Sequence, residues 1–148
     1  MFDKKAKVDQ IMTTNVITVE SNDTMDKVSD LFKSNSFHHL PVVDYGKVVG
    51  IVSSTDFHML EDHFTLFNNK NSEAMNKAIM RSLLVKDVMT KQVAMINPDD
   101  TLEYAAGIFR ENLFHALPVA DEEKNFLGII TPYDLLNYAY ADAPAVLT

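Results

Sequence analysis

The chain reads as one ordered series of residues written twice. Val8, Met12, Thr13, Val16, Thr24, Phe32, Asn35, Phe37, His38, Leu40, Pro41, Val42 and Asp44 return as Val85, Met89, Thr90, Val93, Thr101, Phe109, Asn112, Phe114, His115, Leu117, Pro118, Val119 and Asp121, at a constant spacing of 77 positions. Past Asp44 the spacing becomes 78, and Gly50-Ile51-Val52-Ser53-Ser54-Thr55-Asp56 returns as Gly128-Ile129-Ile130-Thr131-Pro132-Tyr133-Asp134. The extra residue falls in the turn Asp121-Glu122-Glu123-Lys124-Asn125, where an insertion is tolerated. A fixed period means one supersecondary unit used twice. A unit of about 50 residues is too small to bury a comfortable core alone, so the copies are expected to pack on each other through their sheets, as one domain with pseudo-two-fold symmetry.

Within each copy the pattern predicts strand, helix, strand, strand, helix, a mixed α/β (α+β) class. After a short opening segment over residues 8–12, Val16-Ile17-Thr18-Val19 is β-branched enough to read as a strand. Asp23 with Asp26 three residues on, repeated as Asp100 with Glu103, predicts a helix N-terminus capped by the first aspartate. Met25, Val28, Leu31 and Phe32, with their counterparts Leu102, Ala105, Ile108 and Phe109, give each helix one apolar face. Asn35 and Asn112 stand where these helices end and are expected in the left-handed conformation of a C-cap. Residues 38–43 and 47–52, around Asp44-Tyr45-Gly46, read as a hairpin, and a second helix follows from Ser53. The layout expected is a first repeat over 8–60, a linker over 61–84 and a second repeat over 85–138. Within the linker, 63–70 is polar and aromatic, and 72–84 is helical in pattern with Ala74, Met75, Ala78, Ile79 and Leu83 on one side. The tail 141–148, with Pro144, is expected as a loose end or a partner contact.

Composition narrows the chemistry. No cysteine is present, so disulfides, thiolate metal ligands and thiol nucleophiles are excluded, and a cytoplasmic setting is permitted and expected. The net charge of −8 repels a polyanion and argues against binding a nucleic-acid strand, though a local phosphate pocket stays open. Lys4, Lys5 and Lys7 precede no signal-type apolar run, and no stretch reaches the roughly 20 apolar residues that span a bilayer. A soluble, unprocessed chain away from the membrane is expected.

Each copy closes on a strand running into a helix start. Ser53-x-x-Asp56 and Thr131-Pro132-x-Asp134 are capping boxes, with Pro132 at the favoured first helical position. Capping explains these residues by itself. The same junction offers a ligand hydroxyls, backbone N–H groups and a carboxylate, and the two roles coexist because a carboxylate has two oxygens. Both copies keep hydroxyl-x-x-Asp where a cap accepts several residue types, which keeps the ligand role open. His38, His39 and His115, even with His58 and His63, fit no common zinc spacing, so no metal is expected. Asp56 and Asp134 have no nucleophile motif or glycine-rich phosphate loop beside them, so no catalytic residue is expected. Met12, Met89, Met59, Met75 and Met80 read as adaptable filler of cores or interfaces.

Met-Thr near the start, His-x-Leu-Pro-Val in the middle and Gly-Ile-Val/Ile-Ser/Thr-x-x-Asp at the end, twice and in the same order, resemble a tandem pair of CBS (cystathionine β-synthase) domains, a Bateman module. The resemblance covers 8–60 and 85–138. It implies a sensory module, not an enzyme, that holds adenosine-containing ligands such as AMP, ADP, ATP or S-adenosylmethionine in clefts between the repeats. It assigns the aspartate to the ribose hydroxyls, the Ser/Thr to ribose and phosphate, and the early strand of the opposite repeat to the base. Carried over by position, one cleft combines Ser53 and Asp56 with Thr90, Val93 and Ala94. The other combines Thr131 and Asp134 with Thr13, Val16 and Ile17. Where family members often carry basic residues for phosphate, this chain has His38 and His39 in the first copy and His115 and Ala116 in the second. A histidine with an ordinary pKa near ~6.5 offers a hydrogen bond but little charge at neutral pH. AMP or an uncharged adenosine ligand is therefore as plausible as a polyphosphate, and the Ser53/Asp56 cleft is expected to hold phosphate better.

The resemblance further implies a homodimer that passes a ligand-driven change to an effector protein. Phe57, Leu60 and Phe64 against Leu135, Leu136 and Tyr138 are candidates for the dimer face. No cofactor is expected beyond the adenosine ligand. The competing reading is a structural or protein-interaction module whose clefts stay empty.

Overall fold

The computed structural model describes residues 3–65, 72–112 and 114–142, without the side chains of 62–65 and 72–73. The expectations for the linker over 66–71, for the tail from 143 and for the side chains of His63 and Phe64 lie outside the described residues. The elements follow in order as a 3-10 turn Val8–Gln10, α1 Met25–Ser34, β1 His39–Asp44, β2 Lys47–Ser53, α2 Ser54–Thr65, α3 Ser72–Ser82, α4 Val85–Val88, α5 Leu102–Asn112, β3 Leu117–Ala120, β4 Phe126–Ile130 and α6 Pro132–Ala139.

Neither of the chain's two compact units coincides with one repeat. One unit is Ile17–Val93, and the other joins Met1–Val16 to Ala94–Thr148. Each holds the body of one repeat and the opening segment of the other. Burial explains the exchange, because Val8 and Val85, which begin the opening segments, are both fully buried. Val85 lies in a core with Val19, Met25, Val28, Leu40, Val42, Val52, Phe57 and Met80. Val8 lies in one with Ala6, Ile96, Leu102, Ala105, Phe109, Leu117, Val119 and Ile130.

In the Ile17–Val93 unit, β1 and β2 pair antiparallel from His39↔Ser53 to Asp44↔Lys47. Tyr45 and Gly46 close the hairpin at φ +52° and +80°, the double left-handed turn whose twist matches paired strands. In the other unit β3 pairs with β4 from Leu117↔Ile130. Its longer loop is organised by one carboxylate: Asp121 accepts from the amides of Glu123 (3.0 Å) and Asn125 (2.9 Å) and from the Asn125 side chain (2.9 Å).

The expected opening strand of each repeat shrinks to a single parallel bridge, Val19↔Val42 and Ile96↔Val119. Val19 donates to the Pro41 carbonyl and accepts from the Val43 amide. The next rung would need an N–H from Pro41, or from Pro118 in the second repeat, and proline has none. The proline of each Leu-Pro-Val motif therefore ends the ladder.

Several local expectations are corrected by hydrogen bonding. The N-cap of α1 is Thr24, not Asp23. Asp23 instead accepts from the Glu20 amide (2.7 Å) and the Lys27 ammonium (3.0 Å). Burial pushes its carboxyl up, but those two partners outweigh it and hold the group below its ordinary range. Asp100 likewise accepts from the Asn97 amide (2.9 Å), leaving Thr101 to accept from the Tyr104 amide (3.2 Å) at the start of α5. Asn35 is extended rather than left-handed, at φ −135° and ψ 163°. Its side-chain amide donates to the Leu31 carbonyl (2.9 Å), and that of Asn112 donates to the Ile108 carbonyl (3.2 Å), so each asparagine folds its amide back onto the last turn of its own helix. Met80 on α3 and Leu83 just after it reach the core, whereas Ala74, Met75 and Ala78 are exposed. The helices α1 and α2 that pack on α3 select that face.

The expected dimer face is corrected too. Phe57 is 1% exposed and packs on Phe32 with ring centroids 5.9 Å apart. Leu60, Leu135 and Tyr138 pack on their own cores.

Gly50 and Gly128 are required by a close approach. A Cβ on Gly50 would lie 2.4 Å from Met89 Sδ and 3.0 Å from the Thr90 carbonyl oxygen; one on Gly128 would lie 2.6 Å from the Thr13 carbonyl oxygen. A side chain can shift where a paired backbone carbonyl cannot. Gly128→Ala is expected to cost about 1–3 kcal/mol and Gly50→Ala less, checked by urea unfolding of both variants. Equal costs would contradict this account.

Candidate functional site

Two helix starts carry the candidate chemistry. At the first, Asp56 donates its amide to Ser53 Oγ (3.1 Å) and accepts from the Ser53 amide at Oδ2 (3.4 Å). At the second, Thr131 is the N-cap of α6 with Pro132 in the first turn. Asp134 donates its amide to Thr131 Oγ1 (3.2 Å), and its Oδ2 accepts from the Thr131 amide (2.9 Å) and hydroxyl (3.1 Å). Both boxes thus form as expected; the carboxylate arm is shorter in the second (2.9 against 3.4 Å), while the hydroxyl arms are alike (3.2 and 3.1 Å). All four side chains are partly exposed.

Beside each box lies the Met-Thr segment of the other repeat. Ile51 and Thr90 exchange backbone bonds of 3.1 and 2.9 Å, and Thr13 and Ile129 exchange bonds of 2.8 and 2.9 Å. Only the second pair adds a side-chain link: the exposed Thr13 hydroxyl donates to Asp134 Oδ1 at 3.1 Å. Among the described residues Asp56 Oδ1 receives no hydrogen bond, and Thr90 makes none to it.

Val16 shares a unit with Thr131 and Asp134, and Val93 shares one with Ser53 and Asp56. Ile17 and Ala94, the next residues in the chain, belong to the opposite units from the aspartates with which they were matched. The proline that ends each ladder removes the donor that would have taken their carbonyls.

His39 opens β1 directly across from Ser53. The carbonyl of His38 accepts from the Ser54 amide (2.8 Å), and its Nδ1 lies 3.4 Å from Ser54 Oγ. Ser54 was not singled out in the sequence; its adjacency to Ser53 in a hydroxyl run was the available signal. His38, Ser54, Lys33 and His58 also line a pocket of about 190 Å³ with Phe32, Phe37 and Phe57. In the second repeat His115 is exposed, and Ala116, which replaces the second histidine, is buried. The two helix starts therefore differ in imidazole supply as well as in carboxylate bonding. Met12 and Met89, read as filler, lie over Gly128 and Gly50.

The CBS domain family model matches residues 8–60 and 85–141. The chain belongs to the CBS domain family. As a tandem CBS pair it is similar to MJ1225, an uncharacterised protein of Methanocaldococcus jannaschii, at 32% identity over 93% of this chain and 48% of that protein. The MJ1225 crystal structure matches with a TM-score of 0.80 over 93% of this chain and 49% of its own. CBSX2 of Arabidopsis thaliana, solved in complex with AMP, matches at 25% identity with a TM-score of 0.75, covering 93% of this chain and 98% of its own. Inosine-5′-monophosphate dehydrogenase of M. jannaschii is 33% identical over 88% of this chain but only 23% of the enzyme. The chain thus spans about half the length, or less, of the first curated relatives it matches. No helix among the described residues is long and apolar enough to cross a membrane.

The Thr131 hydroxyl makes a second bond, to Asp134 Oδ2, that Ser53 does not make to Asp56, and this implies a stronger cap. Thr131→Ala is expected to lower stability by about 1–2 kcal/mol and Ser53→Ala by about half as much, read from chemical denaturation midpoints.

Proposed function

We infer that this CBS pair is a regulatory module that binds adenosine-containing ligands and modulates a partner protein. Its repeats span 8–60 and 85–138 and are joined by the linker 61–84. Ser53 and Asp56 with Thr90 and Val93 form one ligand site; Thr131 and Asp134 with Thr13 and Val16 form the other. His38 and His39 serve the phosphate of the first, and His115 that of the second. The observation that carries the reading is the Thr13 hydroxyl at 3.1 Å from Asp134. It puts a helix-start carboxylate of one repeat and a hydroxyl of the other within reach of one small polar ligand. The AMP complex of CBSX2 supports adenine nucleotides as the class. The match to part of a dehydrogenase supports regulation of a larger protein.

AMP, ADP, ATP and S-adenosylmethionine are to be compared by thermal shift, with guanine nucleotides as controls. A ligand at about a hundred times its Kd stabilises by about 2.7 kcal/mol, so at least one adenosine compound is expected to raise Tm. No shift from any of them at millimolar concentration would leave the structural module as the answer. Asp56→Ala and Asp134→Ala are expected to weaken binding more than they lower stability.

The reading includes a cytoplasmic homodimer. Among the described residues the large apolar side chains left exposed at α6 are Tyr133 (68%), Leu136 (56%) and Tyr140 (66%), and these replace Phe57, Leu60, Leu135 and Tyr138 as its candidate face. Tyr133, Leu136 and Tyr140 recur at helical spacing and form one stripe. Leu136→Asp is expected to convert a dimer to a monomer in sedimentation velocity, with the circular dichroism spectrum unchanged. A wild-type monomer at micromolar concentration would remove this part of the reading.

A further inference from the structure

The two aspartates are not equally available. Asp134 has both oxygens engaged by the protein itself, Oδ2 by the amide and hydroxyl of Thr131 and Oδ1 by the hydroxyl of Thr13. Asp56 has one long bond at Oδ2 and none at Oδ1 among the described residues. A vicinal diol binds a carboxylate by donating to it, ideally one hydroxyl to each oxygen. At Asp56 that geometry is open. At Asp134 the Oδ2 atom already has two donors, so a diol is directed to Oδ1 and competes there with the Thr13 hydroxyl, which is exposed and returns to solvent without a buried orphan.

We propose that Thr13 acts as a built-in competitor for the Asp134 carboxylate, so that the Asp56 site fills first and the Asp134 site responds only at higher ligand concentration. This rests on the ligand-binding reading above. The repeat supplies a second reason to single out Thr13: its counterpart Thr90 keeps the same two backbone bonds, yet sends no hydroxyl to Asp56. Because the backbone bonds of Thr13 and Thr90 match, the inequality at Oδ1 comes from one side-chain bond; at Oδ2 the Thr131 hydroxyl adds another, at 3.1 Å, that Ser53 does not make. It gives the module a graded response over two concentration ranges instead of one.

The test is isothermal titration of the full chain with AMP, using Asp134→Asn and Asp56→Asn so that each variant keeps one carboxylate and an oxygen for its helix cap. The variant that keeps Asp56 is expected to bind about tenfold more tightly than the one that keeps Asp134, the order expected for one hydrogen bond to a charged group. Adding Thr13→Val to Asp56→Asn is expected to recover about that tenfold, while Thr13→Ser, which keeps a hydroxyl, recovers nothing. This arm holds the histidines constant. The recovery should vanish with 2′,3′-dideoxy-AMP, which lacks the diol. A ligand-free check is Tm, which Thr13→Val should lower and Thr90→Val should not. Equal affinities in the two single-site variants, or no gain from Thr13→Val, would overturn the competitor while leaving the sensor intact. AMP binding to neither variant nor to wild type would overturn both.

Discussion

The backbone exchange between Thr13 and Ile129, and its repeat between Thr90 and Ile51, is the interaction on which the other features rest. It carries the opening segment of one repeat onto the last strand of the other. The glycine before each isoleucine permits it, because any Cβ there would meet a carbonyl oxygen or a methionine sulfur. The exchange brings Val8 and Val85 into cores that their own repeats do not build. It also sets a threonine hydroxyl beside a helix start. Without it, each repeat would be a two-stranded hairpin with two helices, an assembly too small to hold a core.

The chemistry of the helix starts follows from the same crossing. A hydroxyl-x-x-Asp box satisfies its own amides, so by itself it needs no ligand. What distinguishes these boxes from ordinary caps is the company the crossing provides: the opposite repeat's threonine on one side and, at Ser53, His38 and His39 at the start of β1 on the other. Proline contributes by omission. Pro41 and Pro118 stop the parallel ladder after one rung, and this leaves the carbonyls of Ile17 and Ala94 without the strand partner that a longer ladder would supply.

Much of this was legible in the sequence, for identifiable reasons. Periodicity located α1 and α5 and their buried faces, since the spacing of Met25, Val28 and Leu31 leaves one side to bury. The double left-handed turn at Tyr45-Gly46 was signalled by its glycine. The capping boxes were visible because their partners lie three residues apart. Features that failed to show depended on competition between local partners. Asp23 could cap a helix or close the preceding turn, and only the positions of the Glu20 amide and Lys27 decided it. Asn35 could go left-handed or turn its amide back onto Leu31, and composition does not distinguish those outcomes. For α3, residues on more than one side could face inward, and packing on α1 and α2 chose Met80. Phe57, apolar on a helix, could serve a core or an interface; its contact with Phe32 settled it inside.

The sequence alone determined that one unit is used twice, that each copy ends on a strand running into a capped helix, and that cysteine chemistry is absent, because these are properties of spacing and composition. Only the tertiary structure decided that the compact units trade opening segments and that Asp56 and Asp134 differ in free oxygens. The reason is distance along the chain. Thr13 and Asp134 are separated by 121 positions, and no local pattern says which of two similar threonines will aim its hydroxyl at a carboxylate.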